Sequence, residues 1–199
     1  MKKVAVALSV IFLIFSAGKV AQAIPWNEGP DAGELIDTAQ LTHGPKSLDY
    51  ISGELTGYND IDMYQIYLNN TDDFSVIVWA NLSVDNDATL FLFDSDGYLV
   101  MSDDDDGIDF LPQFNPGEMA GKDKGIYFLA IDLYMTEPTG DPLIAWTSAP
   151  APQQEGPYIL SLTGTSPSAR HSPVPEPAAI LLFGSGLIGL AGIRKQFRT

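Results

Sequence analysis

The 199-residue chain contains no cysteine. Disulfides, thiolate metal sites and a cysteine nucleophile are therefore excluded. Such a protein, if exported, is held by core packing, bound ions or both. Basic side chains are also scarce, ten Lys and Arg against 26 Asp and Glu, for a net charge of -16. Six of the ten sit in the two ends: Lys2, Lys3, Lys19, Arg194, Lys195 and Arg198. From Ile24 to Pro173, four basic side chains (Lys46, Lys122, Lys124 and Arg170) face 25 acidic ones, which leaves the middle near -21. A body so charged repels phosphate backbones, so no nucleic acid is expected as a partner. It attracts cations.

Histidine is nearly missing too. His43 lies in a "THGP" turn and His171 in a Pro- and Ser-rich stretch. No G-x-S-x-G elbow, H-E-x-x-H helix or glycine-rich phosphate loop is found. The expectation is a protein that is not an enzyme. A carboxylate pair such as Asp60 and Asp62 leaves a divergent secreted hydrolase as one alternative.

What is present at the ends is more specific. Residues 1–23 open with Lys2 and Lys3, continue as "VAVALSVIFLIFSAG" and close on Ala21-Gln22-Ala23. A basic start, an apolar middle and an A-x-A site predict a cleaved secretory signal peptide, with an N-terminal anchor helix as the competing reading. At the other end, residues 178–193 are uncharged. As a helix they span about 24 Å at ~1.5 Å per residue, a marginal crossing of a core about 30 Å thick. Gly184, Gly186, Gly189 and Gly192 suit a membrane helix better than a soluble one. Arg194, Lys195 and Arg198 then supply the side that stays in the cytoplasm. A core element is the other reading, but the run lies beyond the separating stretch "TSPSARHSPVPEP".

Val174-Pro175-Glu176-Pro177, the short glycine-bearing apolar run and the terminal basic cluster together resemble the PEP-CTERM sorting signal. The resemblance implies that Pro175, Glu176 and Pro177 form a recognition box for a membrane-embedded exosortase. Arg194, Lys195 and Arg198 become its stop-transfer cluster. It implies membrane anchoring through the C-terminal helix, then release to the cell surface or extracellular polysaccharide matrix of a Gram-negative bacterium.

Between the ends the pattern is strand-like. "YISGEL", "IDMYQIYL", "DFSVIVWA", "ATLFLFD", "YLVMS", "GIYFLAIDLY" and "GPYILSLTG" are rich in β-branched and aromatic residues and bounded by turn formers. Ser95-Asp96-Gly97 between two apolar runs predicts a hairpin. No long helical periodicity interrupts them. The expectation is an all-β, jelly-roll-like antiparallel β-sandwich, flanked by the signal peptide and the C-terminal hydrophobic helix. The predicted divisions are 1–23 signal peptide, 24–48 N-terminal segment, 49–164 sandwich, 165–173 linker and 174–199 sorting signal. The order of strands and acidic turns from Asp37 to Gly164 resembles the bacterial pre-peptidase C-terminal domain, a small sandwich found in secreted and surface proteins. The insertion "TEPTGDPLIAWTSAPAPQQEGP" departs from it, either as an extra hairpin around "PLIAW" or as an irregular loop.

The densest charge is the run Asp103, Asp104, Asp105 and Asp106, with Asp109 behind it. Adjacent carboxylates in a loop suit calcium, which takes six to eight oxygens. The spacing is not that of an EF-hand, because Gly107 stands where a third ligand is needed and no Glu closes the loop. Ligands from elsewhere are therefore required. The resemblance implies calcium ligands in the N-terminal segment, at Asp31 or Glu34, and at Asp60 and Asp62. The competing reading is a solvated acidic turn. Trp79, Trp146, Tyr58, Tyr64, Tyr67, Tyr98 and Tyr134 either pack in the sheets or line a face that binds polysaccharide or protein. The leading expectation is an exported adhesion or scaffolding protein, with the binding module as the alternative.

Overall fold

The computed structural model describes residues 25–57, 60–83, 87–147 and 155–171. The predicted signal peptide, the sorting signal and residues 178–193 lie outside the described residues. Among the described residues no helix is long and apolar enough to cross a membrane.

Among the described residues thirteen strands follow one another. They are β1 (Trp26–Asn27), β2 (Gln40–Leu41), β3 (Tyr50–Leu55), β4 (Asp62–Leu68), β5 (Ser75–Ala80), β6 (Ala88–Phe93) and β7 (Leu99–Asp103). Then come β8 (Gln113–Phe114), β9 (Gly125–Leu133), β10 (Glu137–Thr139), β11 (Ala145–Thr147), β12 (Gly156–Thr163) and β13 (Thr165–Pro167). One sheet runs β1-β3-β12-β5-β8. A second runs β13-β4-β9-β6-β7, with β2 also on β4, and β10 and β11 form a separate pair. The expected all-β architecture is present.

Period-2 alternation explains the first sheet. In β5, Val76 and Val78 are buried while Trp79 is exposed, and in β12 Tyr158, Leu160 and Leu162 point inward. They meet Tyr64, Ile66 and Leu68 of β4, Leu90 and Leu92 of β6, and Leu129 and Ile131 of β9 in a single core shared by the two sheets. That arrangement fits a sandwich. Asp96-Gly97 turns β6 into β7 as the sequence predicts, with Gly97 at φ 89°.

The second sheet differs. All six residues of β6 are buried. Its outer face carries Met63, Phe91, Phe93, Phe128 and Ala130, covered by Ile61, Leu143 and Trp146 together with Leu35, Ile36 and Ala39. Trp146 stands edge-on to Phe91 and Phe93, with ring centroids 5.2 and 5.9 Å away, and its Nε1 donates to the Glu34 carbonyl at 2.7 Å. The proline-rich insertion is thus an extra hairpin, β10–β11, that acts as a cover. Among the described residues the first sheet has no such cover over Trp79 and Ile159, which are 53 % and 45 % exposed.

Two segments behave differently from their composition. Residues 24–48 contribute β1 and β2, each paired in parallel with a body strand. Residues 165–170, read as linker from their Ser and Pro content, form β13 and a short 3-10 turn. The Thr165 hydroxyl donates to the Leu48 carbonyl at 2.5 Å, and the Ser168 N–H donates to the Thr42 hydroxyl at 3.0 Å. Small hydroxylated residues fit a polar seam that larger apolar ones would not, so polarity there marks pairing rather than separation.

Candidate metal centre

Backbone pairing builds the site. β1 lies parallel to β3, with Trp26 opposite Ile51 and Asn27 opposite Ser52. The Glu28 N–H continues that ladder, donating to the Ser52 carbonyl at 2.8 Å. Glu28 is thereby fixed beside β3. Its Oε1 accepts from the Ala32 N–H at 3.1 Å and its Oε2 from the Glu54 N–H at 3.0 Å. Asp31 follows in the same bend, with Oδ1 accepting from the Gly33 N–H at 3.3 Å. Asp62 enters from the other sheet, at the start of β4. Carboxylate oxygens of Glu28, Asp31 and Asp62 all lie within 4.8 Å of one another.

Gly53 makes the convergence possible. A Cβ there would collide with the Tyr158 hydroxyl and with a Glu28 carboxylate oxygen. Below it runs a buried polar chain. The Tyr64 and Tyr158 hydroxyls are 2.5 Å apart, and the Tyr158 hydroxyl donates to Asp62 Oδ2 at 2.6 Å. The other oxygen, Asp62 Oδ1, is buried and has no hydrogen-bond partner. Burial pushes the Asp62 carboxyl up to about 8, helped by the Glu28 charge, while the Tyr158 bond works against the rise.

The site opens into a cavity of about 600 Å³. Asp60 lines it too, with Oδ2 accepting from the Thr56 N–H and, at 2.8 Å, from the Thr56 hydroxyl. Every titratable side chain on its wall is acidic or phenolic.

The aspartate run is a separate group. Oxygens of Asp103, Asp104 and Asp105 lie within 4.8 Å of one another, but all three are solvent-accessible. Asp103 Oδ2 is occupied by the N–H groups of Asp106, at 3.2 Å, and Gln113, at 2.8 Å. Asp106 thus serves the turn through its backbone. Partial burial raises the Asp103 carboxyl above its usual range. The loop closes on itself through these bonds.

Of the residues marked in the sequence, the structure brings Asp31 and Asp62 together, and Asp60 shares the cavity wall with Asp31. Glu34 lies elsewhere, on a smaller cavity beside Thr136 and Trp146. Glu28 is the residue that sequence reasoning missed. Its only signal was its place next to a two-residue strand, which is too short to show periodicity. His43 packs near Trp26, and His171 stacks on Tyr67, with centroids 3.6 Å apart, its Nε2 lying 3.4 Å from the Ser166 hydroxyl.

Calcium fits this donor set. It is a hard cation that takes carboxylate oxygens, and a buried oxygen without a donor is the group that such an ion satisfies. Glu28, Asp31 and Asp62 would hold it. Bound there, it would tie the N-terminal segment to β4 across the mouth of the sandwich.

A family model described as the PEP-CTERM protein-sorting motif matches residues 173–196. The match contains Pro175, Glu176 and Pro177 and the basic pair Arg194 and Lys195; Arg198 lies just beyond it. Such signals are processed by exosortase, and they imply export with membrane association before processing. No curated protein matches the chain. The β-rich body is consistent with the pre-peptidase C-terminal resemblance but does not establish it.

Proposed function

We propose that this chain is a non-enzymatic protein of the cell surface or extracellular polysaccharide matrix, with a calcium-braced β-sandwich as its displayed part. The single observation that carries the sorting half is the motif match at residues 173–196. Exosortase reads the Pro175-Glu176-Pro177 box while residues 178–193 and the basic cluster hold the chain at the membrane. The body then does its work outside, by adhesion or scaffolding. Mass spectrometry of matrix-associated protein should find peptides up to the box and none beyond Pro177. Intact C-terminal peptides in that fraction would make the tail a permanent anchor and overturn release.

The calcium half rests on the unpartnered Asp62 oxygen beside Glu28 and Asp31. It also rests on composition, since a cysteine-free exported fold gains from a metal cross-link. Calcium at a hundred times its dissociation constant should stabilise the fold by about 2.7 kcal/mol. Thermal melts should show a rise in Tm that a chelator reverses. Asp62→Asn should remove that response, while Asp104→Asn should keep it. A response that survives Asp62→Asn would move the ion elsewhere, and no response at all would end the calcium reading.

A further inference from the structure

The face of the first sheet that carries Trp79 and Ile159, uncovered among the described residues, has a defined register. Ser52, Ile159 and Trp79 lie side by side on β3, β12 and β5. One row away, Tyr50, Ser161 and Ile77 are aligned in the same way. Tyr50, Trp79 and Ile159 are 41 %, 53 % and 45 % exposed, so three large apolar side chains share one flat surface. Isolated exposed apolar residues are ordinary, but a contiguous set on a sheet face marks a contact surface.

The platform ends in acid. On the other side of the Trp79 row, Glu54 of β3 pairs with Pro157 of β12. Glu54, Pro157, Ser52 and Ile159 also line the carboxylate cavity, so platform and cavity are continuous. Two strand spacings and two residues of rise put Trp79 and Glu54 about 12 Å apart. Neither the cavity wall nor the rows just described contain Lys, Arg or His. Phosphate, sulfate and uronate polymers are therefore repelled. A ligand that fits both parts has flat apolar faces to lie on Trp79 and Ile159, and positive charge to face Glu54 and the cavity.

We propose that this face binds a polysaccharide of unacetylated amino sugars, with one ring on the Trp79–Ile159 platform and the ammonium of a neighbouring ring towards Glu54. The inference deepens the surface-display reading, which says only where such a glycan is met. Each ammonium–carboxylate contact at a surface is weak, so affinity builds over successive rings and falls with salt.

Calorimetric titration of the exported protein with soluble glucosamine oligomers, and with the same oligomers after N-acetylation, tests the idea. The amino form should bind at least about tenfold more tightly than the acetylated form, and added salt should weaken it. Trp79→Ala should reduce binding about tenfold or more with Tm unchanged, because Trp79 is exposed, and Glu54→Gln should weaken the amino form alone. Equal binding of the two forms, salt-insensitive binding, wild-type affinity in Trp79→Ala or no binding of either oligomer would each overturn the proposal. The display reading is tested separately, by the C-terminal peptides, and survives or falls without reference to these titrations.

Discussion

Without calcium, the fold should lose stability as pH rises from about 4 to about 8. Burial raises Asp62 and Asp132 to about 8 in the folded protein, against about 3.9 in the unfolded chain. Across that window the folded state holds one more proton at each site, so the free energy of unfolding falls with rising pH. The penalty is absent below the unfolded value, grows through the window and is complete above the folded value. Each site carries about 1.4 kcal/mol per pH unit at most, or several kcal/mol in all. Asp132 is fully buried on β9. Its Oδ1 accepts from the Leu133 N–H at 2.6 Å, and its Oδ2 has no partner. Asp132→Asn should therefore flatten part of the slope, and calcium should flatten the Asp62 part, because a bound cation favours the carboxylate. Denaturant titrations at a series of pH values check this. A profile that stays level or climbs from pH 5 to 8 would refute the protonated assignment of both groups.

The second large effect is at Tyr158. Its ring lies in the shared core, and its hydroxyl links Tyr64 to Asp62. Tyr158→Ala should cost about 3–5 kcal/mol, the range for removing a buried aromatic ring. Tyr158→Phe keeps the ring but leaves the Asp62 Oδ2 and the Tyr64 hydroxyl without their common partner, at roughly 1–3 kcal/mol each. Because the Tyr158 bond favours ionised Asp62, its loss should also push the Asp62 titration to higher pH. Urea unfolding of the two variants separates packing from polar linkage. A Tyr158→Phe variant as stable as the wild type would show that the hydroxyl chain contributes nothing measurable.

The strands with clean alternation were legible in the residues. "YISGEL", "DFSVIVWA" and "GPYILSLTG" mark β3, β5 and β12 to within two residues, because one face of that sheet meets solvent and the other the core. Strands β6 and β9 were legible as strands but not in their packing. Both faces are covered, so alternation vanishes and nothing local says what the cover is. The cover itself, β10–β11 with Trp146, was one of two readings of the insertion, since three-residue strands carry too little periodicity to decide. The site was half legible. Asp31, Asp60 and Asp62 were marked through a resemblance, whereas Glu28 depends on a parallel pairing between residues some 25 positions apart, with β1 and β3 joined at Trp26 and Ile51. The aspartate run drew attention by composition alone, and in the fold oxygens of Asp103, Asp104 and Asp105 do converge, with Asp103 Oδ2 taken up by two backbone N–H groups.

The polar strand β13 has a mechanical consequence. It holds β4 over three residue pairs, Thr165 to Leu68, Ser166 to Tyr67 and Pro167 to Ile66, and His171 stacks on Tyr67 just after it. Any pull transmitted from the tail reaches the domain at this short edge before it reaches the longer β4–β9 and β12–β5 ladders. Tension applied from the C-terminal side would strip β13 first and spare the longer ladders behind it, so three residue pairs would give way as a sacrificial latch before the core is strained.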